Sequence, residues 1–480
     1  MNEKLNAYIE NLKKERVAVL GLGISNAALL RFLKEAGTKE VVAFDKNDTD
    51  ALRAAAKEYQ AQGLICNAVL GAGYLDTLAE GEFDRIFKSP VIRPDLPQIQ
   101  DAVSKGAVLT SEMEAFMSMC PCKMYAITGS DGKTTTTTLV SKLLEKHFTG
   151  SPDTKIWLGG NIGTPLIAQI GNIRETDRVV LELSSFQLMT LSVSPHVAVI
   201  TNITPNHLDV HKDYQEYIDA KCRIYAMRPD CRVVLNAGCP ETLEIGMDLI
   251  DAGRKVDWFS AKLPTMSYPE GFGRMAYYMN EWIFVKGEGE NLSLAREHML
   301  LPGIHNVENL MAAVLACGEE VTEEDVVQVA ASFGGVAHRL ELVRKIHGVP
   351  YYNSSIDSSP NRTINALSVF KGNVVLIAGG KDKGIPYDAI GPALAEKVKT
   401  LILIGPTAEK IENALRACDP SGTVKVIHCE TYPEAVQCAY EAAVPGDTVL
   451  LSPASTSFDR FKNFEERGNV FKDLVLQLPS

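Results

Sequence analysis

The chain repeats one hydrophobic pattern three times: a short apolar run, a glycine-rich turn, and then residues of helical period. The copies begin at residues 16, 122 and 372, and read RVAVLGLGISNAALLRFLKEAG, CKMYAITGSDGKTTTTTLVSKLLEKH and GNVVLIAGGKDKG. Further apolar runs follow them, among them EVVAFDK, RVVLELSS, VAVITNIT and TLILIGPT. Apolar strands that alternate with helices predict parallel sheets, whose ligand-binding loops gather where the strands end.

The breaks between these patterns predict three domains of the α/β class. They fall near MSMCPCK (117–123) and SFGGVAHR (332–339). We predict a Rossmann-like domain over 1–118, a central ATPase-like domain over 119–335, and a second Rossmann-like domain over 336–480. In the central domain, RMAYYMNEWIFVKGEGENLSLAREHMLLPG reads as strands around turns and predicts a small antiparallel extension of the parallel sheet.

Composition restricts the class of function. A chain of 480 residues is too long for a single core, and its net charge of −12 argues against a general nucleic-acid or membrane binder. Ten cysteines include no C-x-x-C pair, so a structural zinc site is not expected and reduced thiols are typical of the cytoplasm. No apolar run approaches membrane-spanning length. We expect a cytoplasmic monomer without nucleic-acid or membrane partners.

The first glycine turn leaves two interpretations open. Gly21-Leu22-Gly23 follows an apolar strand and Asp45 ends the next one, which is most of a dinucleotide-binding fingerprint. Asn26 replaces the third glycine of that fingerprint, which predicts looser packing of the helix on the strand. The turn is either a site for a nucleotide diphosphate at a helix N-terminus or a tight turn without a ligand.

The second glycine turn, TGSDGKTT (128–135), predicts a triphosphate site. It is shorter than the usual phosphate-binding loop, because Ile127 stands where that pattern has its first glycine. Two glycines permit the backbone to surround phosphates, Lys133 supplies a cation, and Thr134 supplies a hydroxyl for magnesium. A plain capping turn is disfavoured, because five consecutive threonines are poor helix formers. The predicted ATP-binding residues of this loop are Gly129, Ser130, Asp131, Gly132, Lys133, Thr134 and Thr135.

Seven further motifs follow this loop in order: GGNIG (159–163), LELSSFQL (181–188), TPNHLDVH (204–211), YIDAKCRIY (217–225), GIHNVENLMAA (303–313), HRLE (338–341) and SPASTSFDRFKNFEERG (452–468). With them the chain resembles the Mur ligase family, ATP-dependent amide-bond-forming enzymes of peptidoglycan synthesis, through all three predicted domains. The last motif is most similar to that of members that add D-glutamate to UDP-N-acetylmuramoyl-L-alanine. We therefore expect this activity, with these two substrates.

The resemblance implies a reaction in two steps. ATP phosphorylates the carboxylate, and the amine of D-glutamate then attacks the acyl phosphate. The implied cofactors are ATP and Mg²⁺ at two sites. The implied catalytic residues are Lys133, Glu182, His207 and Lys221. The implied magnesium ligands are Thr134, Glu182, His207 and, once carbamylated, Lys221.

Two histidines have a second interpretation. From their spacing, His207 and His211 could form a zinc pair, but no glutamate lies between them and no third ligand is evident. The resemblance instead makes His207 a magnesium ligand and His211 a bystander. The lone Glu182 could likewise face solvent, but it ends an apolar strand next to the phosphate loop, which favours a metal ligand.

The resemblance also assigns the substrate contacts. The UDP part is expected at Ile24, Ser25, Asp45 and Lys46, and the reacting carboxylate near Asn161. Beyond the loop, ATP is expected at Asn306, Asn309 and Arg339, although a helix cap is an alternative for the two asparagines. D-glutamate is expected at Ser358, Lys383, Ser457 and Phe464.

One motif departs from the family. Members that add D-glutamate read N-D-S-K-A-T-N where this chain reads YYNSSIDSSPNRT, so Ser354 replaces an aspartate, Ile356 a lysine and Ser358 a threonine. An acid reappears at Asp357. We expect Asp357 to take over the ribose contact with ATP and Ser358 to keep its hydroxyl for D-glutamate.

Alternatives of other classes account for less of the chain. Another Mur-type or a folylpolyglutamate-type ligase uses the same chemistry, but the folylpolyglutamate type leaves the first glycine turn unexplained. A nicotinamide-dependent oxidoreductase would use that turn and leave Lys133 without a role. A non-catalytic nucleotide-binding protein would need no Glu182, Lys221 or Lys383.

Overall fold

Three sheets organise the chain. The computed structural model describes residues 2–205, 210–261, 272–287 and 291–479, and its strands form sheets of five, nine and six strands. The chain folds into two compact units, Met1–His298 with Ile304–Ala331 and Met299–Gly303 with Ser332–Ser480. The α/β class is confirmed, and the domain limits placed at residues 118 and 335 stay a prediction. In the described parts of the chain, every helix is too short or too polar to cross a bilayer.

The five-stranded sheet is parallel throughout and has the order β3-β2-β1-β4-β5. Its strands are β1 (Arg16–Leu20), β2 (Glu40–Asp45), β3 (Asn67–Leu70), β4 (Arg85–Lys88) and β5 (Val108–Thr110). The helices are α1 (Glu3–Leu12), α2 (Ile24–Glu35), α3 (Asp50–Ala61), α4 (Pro97–Ser104) and α5 (Glu112–Met119). Because β1 lies between β2 and β4, the first glycine turn emerges at the middle of the sheet.

The nine-stranded sheet has the order β14-β13-β12-β11-β10-β9-β6-β8-β7. Its strands are β6 (Lys123–Thr128), β7 (Ile156–Gly160), β8 (Arg178–Glu182), β9 (Val197–Ile200), β10 (Arg232–Asn236), β11 (Val256–Ser260), β12 (Phe272–Met279), β13 (Trp282–Gly287) and β14 (Leu292–Ala295). The α-helices are α6 (Lys133–His147), α7 (Ser185–Leu188), α8 (Tyr214–Ala226), α9 (Pro240–Asp251), α10 (Ile304–Cys317) and α11 (Glu323–Ser332). Strands β13 and β14 pair antiparallel at one edge, as the predicted extension requires.

Strand β6 and helix α6 place the second glycine turn inside this sheet. The strand, KMYAIT, pairs with β8 on one side and β9 on the other, and every residue after Lys123 is buried. The threonines of α6 are accommodated because Thr137 and Thr138 donate their hydroxyls to the carbonyls four residues earlier, at 2.8 Å each. Packing in the core therefore outweighs their weak helix propensity.

The six-stranded sheet forms the second unit and has the order β15-β16-β20-β17-β18-β19. Its strands are β15 (Glu341–Ile346), β16 (Val349–Asn353), β17 (Val374–Ala378), β18 (Val398–Ile404), β19 (Lys425–Cys429) and β20 (Thr448–Leu451). The α-helices are α12 (Pro360–Ser368), α13 (Gly391–Lys397), α14 (Ala408–Cys418), α15 (Tyr432–Ala442) and α16 (Phe464–Gln477). All pairs are parallel except β15 with β16, and an apolar cluster covers each face.

Candidate active site at the second glycine turn

The phosphate loop between β6 and α6 depends on its two glycines. Gly129 has φ +149° and Gly132 has φ +78°, a region that side chains rarely adopt. A Cβ atom at Gly129 would collide with the Thr201 hydroxyl, and one at Gly132 with the Asn309 amide. Gly132 provides no side chain to cap α6, so the first-turn amides face the loop as an anion site requires.

Neighbouring elements hold the loop from outside. The Asp131 amide donates to Asn202 Oδ1 at 2.9 Å, and the Ser130 hydroxyl donates to the Thr204 carbonyl at 2.9 Å. The Ser130 hydroxyl also lies 2.9 Å from the hydroxyl of Tyr217 on α8. These contacts come from the end of β9 and from α8, so neighbouring elements of the protein fix the shape of the loop.

Lys133 lies over the loop. Its Nζ donates to the carbonyls of Gly129 and Ser130 at 2.9 Å each. The ammonium is thus held where it can exchange carbonyl oxygens for phosphate oxygens.

Glu182 is brought next to the loop by the pairing of β8 with β6, in which it lies opposite Ile127. Its side chain is buried, with 2% exposure, and its Oε1 accepts a hydrogen bond from Asn161 Nδ2 at 2.8 Å. Among the described residues, Glu182 Oε2 has no hydrogen-bond partner. A buried carboxylate oxygen without a donor is costly, so this oxygen calls for a cation or water.

Lys221 lies beneath the same loop. Only 1% of it is exposed, and its Nζ donates to the Gly129 carbonyl at 2.8 Å and to the Thr128 hydroxyl at 3.5 Å. The Nζ also lies 4.5 Å from the centre of the Tyr217 ring. Burial, with the nearby charge of Lys133, holds the pKa of Lys221 well below its usual value.

Of the two histidines in TPNHLDVH, only His211 is among the described residues. His207 lies outside the described residues. His211 is buried, its Nε2 is 3.0 Å from the Ser185 hydroxyl, and its ring stacks on Phe186 at 5.5 Å and meets Tyr217 edge-on at 5.3 Å. The described ranges contain no group of three His, Cys, Asp or Glu side chains that could hold a metal. His211 Nδ1 lies 3.4 Å from Glu216 Oε2, so the buried ring has a polar group near each nitrogen as well as aromatic neighbours.

The predicted adenine residues are tied to the phosphate loop's helix. Asn309 Oδ1 accepts a hydrogen bond from the Thr136 hydroxyl at 3.2 Å, and Asn309 Nδ2 donates to Asn306 Oδ1 at 3.1 Å. Both asparagines are buried and lie inside α10, after its first residue Ile304. The helix-cap alternative therefore does not apply.

In the first glycine turn the polar groups pair with each other. Asp45 Oδ2 accepts from the Leu22 amide at 2.9 Å, and Asp45 Oδ1 accepts from the Asn47 amide at 2.9 Å. Asn26 Nδ2 donates to the carbonyls of Leu20 at 3.1 Å and Gly21 at 2.7 Å. Asn26 thus ties α2 to the end of β1 by hydrogen bonds, and the looser packing expected from its replacement of glycine stays a prediction.

The other residues predicted for the UDP part lie around this turn. Lys46 is exposed directly after β2. Ile24 and Ser25 begin α2, and their side chains lie outside what the structure describes.

The predicted D-glutamate residues lie on neighbouring loops of the second unit. Lys383 Nζ donates to the Ser358 hydroxyl at 3.5 Å. The backbones of Lys381 and Thr456 pair, which aligns the loop after β17 with the loop that contains Ser457. Phe464 begins α16. A cation and hydroxyl groups therefore share one edge of the sheet.

Asp357 and Arg339, also in the second unit, were predicted to contact ATP. Asp357 is 6% exposed and accepts a hydrogen bond from the Ser452 hydroxyl at 2.8 Å. Burial raises the pKa of Asp357 to about 6. Arg339 is half-buried, and its backbone bridges to Val336. Their contacts with ATP stay a prediction.

Sequence reasoning missed three residues that support the phosphate loop. Thr201 and Asn202 follow β9, and Tyr217 lies on α8. The signal for the first two was the polar TNIT directly after the apolar run VAVI, which marks a strand end beside β6. For Tyr217 no local signal exists, because an aromatic residue in an amphipathic helix is ordinarily a core residue.

Comparison with known proteins decides the family. Residues 127–317 match the Mur ligase middle domain, and residues 338–455 match the Mur ligase glutamate ligase domain. The UDP-N-acetylmuramoylalanine--D-glutamate ligase of Ruminiclostridium cellulolyticum is 50% identical over 485 aligned residues, covering 100% of both chains. The chain belongs to the Mur ligase family. The ligase of the same name from Acetivibrio thermocellus is 47% identical, covering 99% of both chains.

Solved structures of the Mur ligase family share the fold. UDP-N-acetylmuramate-alanine ligase from Thermotoga maritima matches with a TM-score of 0.55 at 19% identity, covering 96% of this chain and 99% of that one. A pseudomurein peptide ligase type C from Methanothermus fervidus matches with a TM-score of 0.50 at 17% identity, covering 97% and 100%. The predicted family and the three-part α/β architecture are confirmed, and the predicted ligase function agrees with the names of the full-length relatives.

Proposed function

We propose that this Mur ligase uses ATP to add D-glutamate to UDP-N-acetylmuramoyl-L-alanine, through an acyl phosphate, in the synthesis of peptidoglycan precursors. The observation that carries the proposal is the 50% identity, over both full lengths, to a ligase named for this reaction. An amide cannot form from a free carboxylate at neutral pH without a better leaving group than hydroxide, and phosphorylation supplies one.

The phosphate loop binds and orients ATP. The backbone from Gly129 to Thr135 surrounds the phosphates, and Lys133 moves its hydrogen bonds from the Gly129 and Ser130 carbonyls to phosphate oxygens. Phosphoryl transfer needs positioning and neutralised charge more than a covalent nucleophile. Asn306 and Asn309 bind the adenine, as the family resemblance implies; the hydrogen bond from Thr136 holds Asn309 beside α6, and Asn309 in turn bonds Asn306.

The donor set beside the loop fits magnesium. Glu182 Oε2, which has no donor in the part of the chain that the structure describes, and the Thr134 hydroxyl are hard oxygen ligands of the kind that Mg²⁺ prefers. His207 and a carbamylated Lys221 would complete a second site. When bound, magnesium neutralises the phosphate charge, while Asn161 keeps the Glu182 carboxylate oriented through its 2.8 Å hydrogen bond.

Carbamylation of Lys221 is implied by the family resemblance, and the surroundings of this lysine support it. Burial favours the neutral amine, whose nitrogen lone pair can attack the carbon of CO₂; the N–C bond forms and one proton leaves to solvent. The product is a carboxylate where an ammonium would repel two metal ions. Carbon-13 NMR with labelled bicarbonate should show a carbamate signal in the wild type and none in Lys221→Met, and its absence from active, magnesium-loaded enzyme would refute this assignment.

The substrates occupy the other loops. The Rossmann-like domain 1–118 binds the UDP part through Ile24, Ser25, Asp45 and Lys46, and Asn161 in the central domain 119–335 contacts the reacting carboxylate. Domain 336–480 binds D-glutamate. There Lys383 and Ser358 already lie within 3.5 Å, and a dicarboxylate needs such a cation with nearby donors. Ser457 and Phe464 complete the D-glutamate set.

The remaining ATP contacts come from Arg339 and Asp357. Arg339 supplies a cation for the ribose or the phosphates. Asp357 would have to exchange its bond from Ser452 for one from the ribose. A cytoplasmic monomer fits this function, and the ten free cysteines support a reducing compartment.

The test is phosphate release from ATP by the purified enzyme. We expect release only when D-glutamate and UDP-N-acetylmuramoyl-L-alanine are both present, with L-glutamate as the matched control. Release that ignores D-glutamate, or that requires a folate acceptor instead, would overturn the proposal.

A further inference from the structure

Arg93, in the loop after β4, joins the first sheet's segment to the nine-stranded sheet's segment. Its Nη2 and Nη1 donate to the two carboxylate oxygens of Glu216 at 2.8 and 3.1 Å, and its Nη1 donates to the Val210 carbonyl at 2.5 Å. Its Nε and Nη2 donate to Asp95 at 2.8 and 3.0 Å. The guanidinium group therefore donates hydrogen bonds to two carboxylates and one backbone carbonyl. A lysine ammonium is a single point charge and could not make all of these bonds.

Glu216, in the first turn of α8, links Arg93 to the N-terminus of that helix. Its amide donates to Asp213, the N-cap of α8, at 2.8 Å, and its carboxylate accepts from the Lys212 amide at 2.8 Å. The side chains of Arg93 and Glu216 are only 22% and 25% exposed. The hydrogen bonds from Arg93 lower the pKa of Glu216 to about 2, so the carboxylate stays charged across the working pH range.

The other face of α8 supports the phosphate loop. The hydroxyl of Tyr217 lies 2.9 Å from that of Ser130, and Lys221 Nζ donates to the Gly129 carbonyl at 2.8 Å. Tyr217 directly follows Glu216, and Lys221 lies about one helical turn further on. A shift of the helix N-terminus would therefore move both supports of the loop.

We infer that Arg93 is a positioning residue for the phosphate loop: it fixes α8 through Glu216, and α8 in turn places Tyr217 and Lys221 against Ser130 and Gly129. The inference rests on the proposed function, since the loop must bind nucleotide. It assigns to the segment of the first sheet a role in nucleotide binding, besides its proposed role in binding the UDP part of the substrate.

The test measures binding of Mg²⁺-ADP by calorimetry, without the UDP substrate or D-glutamate. We expect Arg93→Ala and Glu216→Ala each to weaken the affinity roughly tenfold, equivalent to about 1.4 kcal/mol. The double variant should be no weaker than either single variant, because both changes break the same link. Arg93→Lys should resemble Arg93→Ala, since an ammonium cannot replace the guanidinium group.

Lys212→Ala is the matched control. Lys212 Nζ pairs with Asp95 at 2.6 Å between the same two segments, but its side chain is 62% exposed and the Arg93–Glu216 pair does not need it. Its affinity should stay within about twofold of the wild type. Thermal melts of all variants identify any that fail to fold. If Arg93→Ala fails to fold, the affinity of Arg93→Lys decides the test in its place.

Two results would count against the inference. One is unchanged Mg²⁺-ADP affinity in folded Arg93 and Glu216 variants. The other is a double variant in which the two losses of affinity add. Either result would overturn the inference and leave the proposed function intact. Failure of the wild type itself to bind Mg²⁺-ADP would instead overturn the proposed function.

Discussion

The two glycine turns of the first unit share a plan and differ in how their polar groups are satisfied. Both join a buried strand to a helix N-terminus, and both have a glycine with positive φ. In the first turn, Asp45 and Asn26 bond to the turn's own backbone. In the second, Glu182 Oε2 is buried and has no hydrogen-bond partner among the described residues, and the buried Lys221 Nζ donates to a carbonyl and a hydroxyl.

The two turns thus differ in which polar side chains still lack a partner among the described residues: Glu182 beside the second turn does, whereas Asp45 and Asn26 of the first do not. Natural structures satisfy nearly all buried polar groups, so unmet ones need an explanation. At the second turn, the ATP and magnesium proposed to bind there would supply one, because they would bring the charge and the oxygen atoms that the side chains lack. The glycine pattern alone does not distinguish the two turns.

The largest effect should come from Lys133→Ala. Loss of the phosphate-loop cation should lower kcat by about a thousandfold or more, because the transferred phosphoryl group loses its charge neutralisation. The thermal melt should hardly change, since Lys133 Nζ donates to two carbonyls of its own loop and is expected to serve phosphate binding more than folding. The control is Lys142→Ala, an exposed ion-pair partner of Glu145 on the same helix. Near-normal turnover of Lys133→Ala would contradict the proposal that the second turn binds the phosphates of ATP.

An alanine in place of one glycine should be harmful in the second turn and tolerated in the first. Gly132→Ala places a Cβ against Asn309 at φ +78°, so ATP affinity should fall about a hundredfold, equivalent to about 2.7 kcal/mol. Gly23→Ala meets no atom within 4 Å and has φ −74°, so its thermal melt should match the wild type. Equal tolerance in calorimetric titration with ATP would show that the loop backbone need not approach its ligand closely.

Lys221 should make stability depend on pH in the enzyme without metal or CO₂. Its folded pKa lies below its unfolded value, so between the two the unfolded state binds more protons and stability rises with pH. Stability should therefore rise with pH between the folded and the unfolded pKa of Lys221, and the rise should end above the unfolded pKa. Lys221→Met should lose this slope in urea titrations. A slope shared by both proteins would assign it to other groups.

The smallest effects should come from neutralising one carboxylate in each turn. Asp45→Asn removes a charged acceptor from the Leu22 and Asn47 amides, so the free energy of unfolding should fall by about 1–2 kcal/mol. Glu182→Gln removes a buried charge whose Oε2 has no partner in the described part of the chain, so stability should stay equal or rise by about 1 kcal/mol while activity falls. Denaturant titrations decide this. Destabilisation by Glu182→Gln would contradict the proposal that Glu182 is a magnesium ligand.

The sequence by itself determined the local chemistry of this protein. The order of strand, glycine turn and helix, the spacing of Lys133 and Thr134, and the antiparallel extension are short-range patterns, and each is readable because neighbouring residues decide it. Glu182 was readable in the same way, as an acid that ends an apolar strand.

Only the tertiary structure decided how those parts are held. The Tyr217–Ser130 contact joins residues 87 positions apart, and the Arg93–Glu216 pair joins residues 123 positions apart. Such contacts depend on how helices are placed against sheets, and hydrophobic periodicity describes only which face is buried. The hydrogen bonds of Asn26 to the end of β1 show the same limit of sequence patterns. The motif indicates only that Asn26 is larger than the expected glycine, and the folded chain shows which backbone carbonyls its side chain bonds.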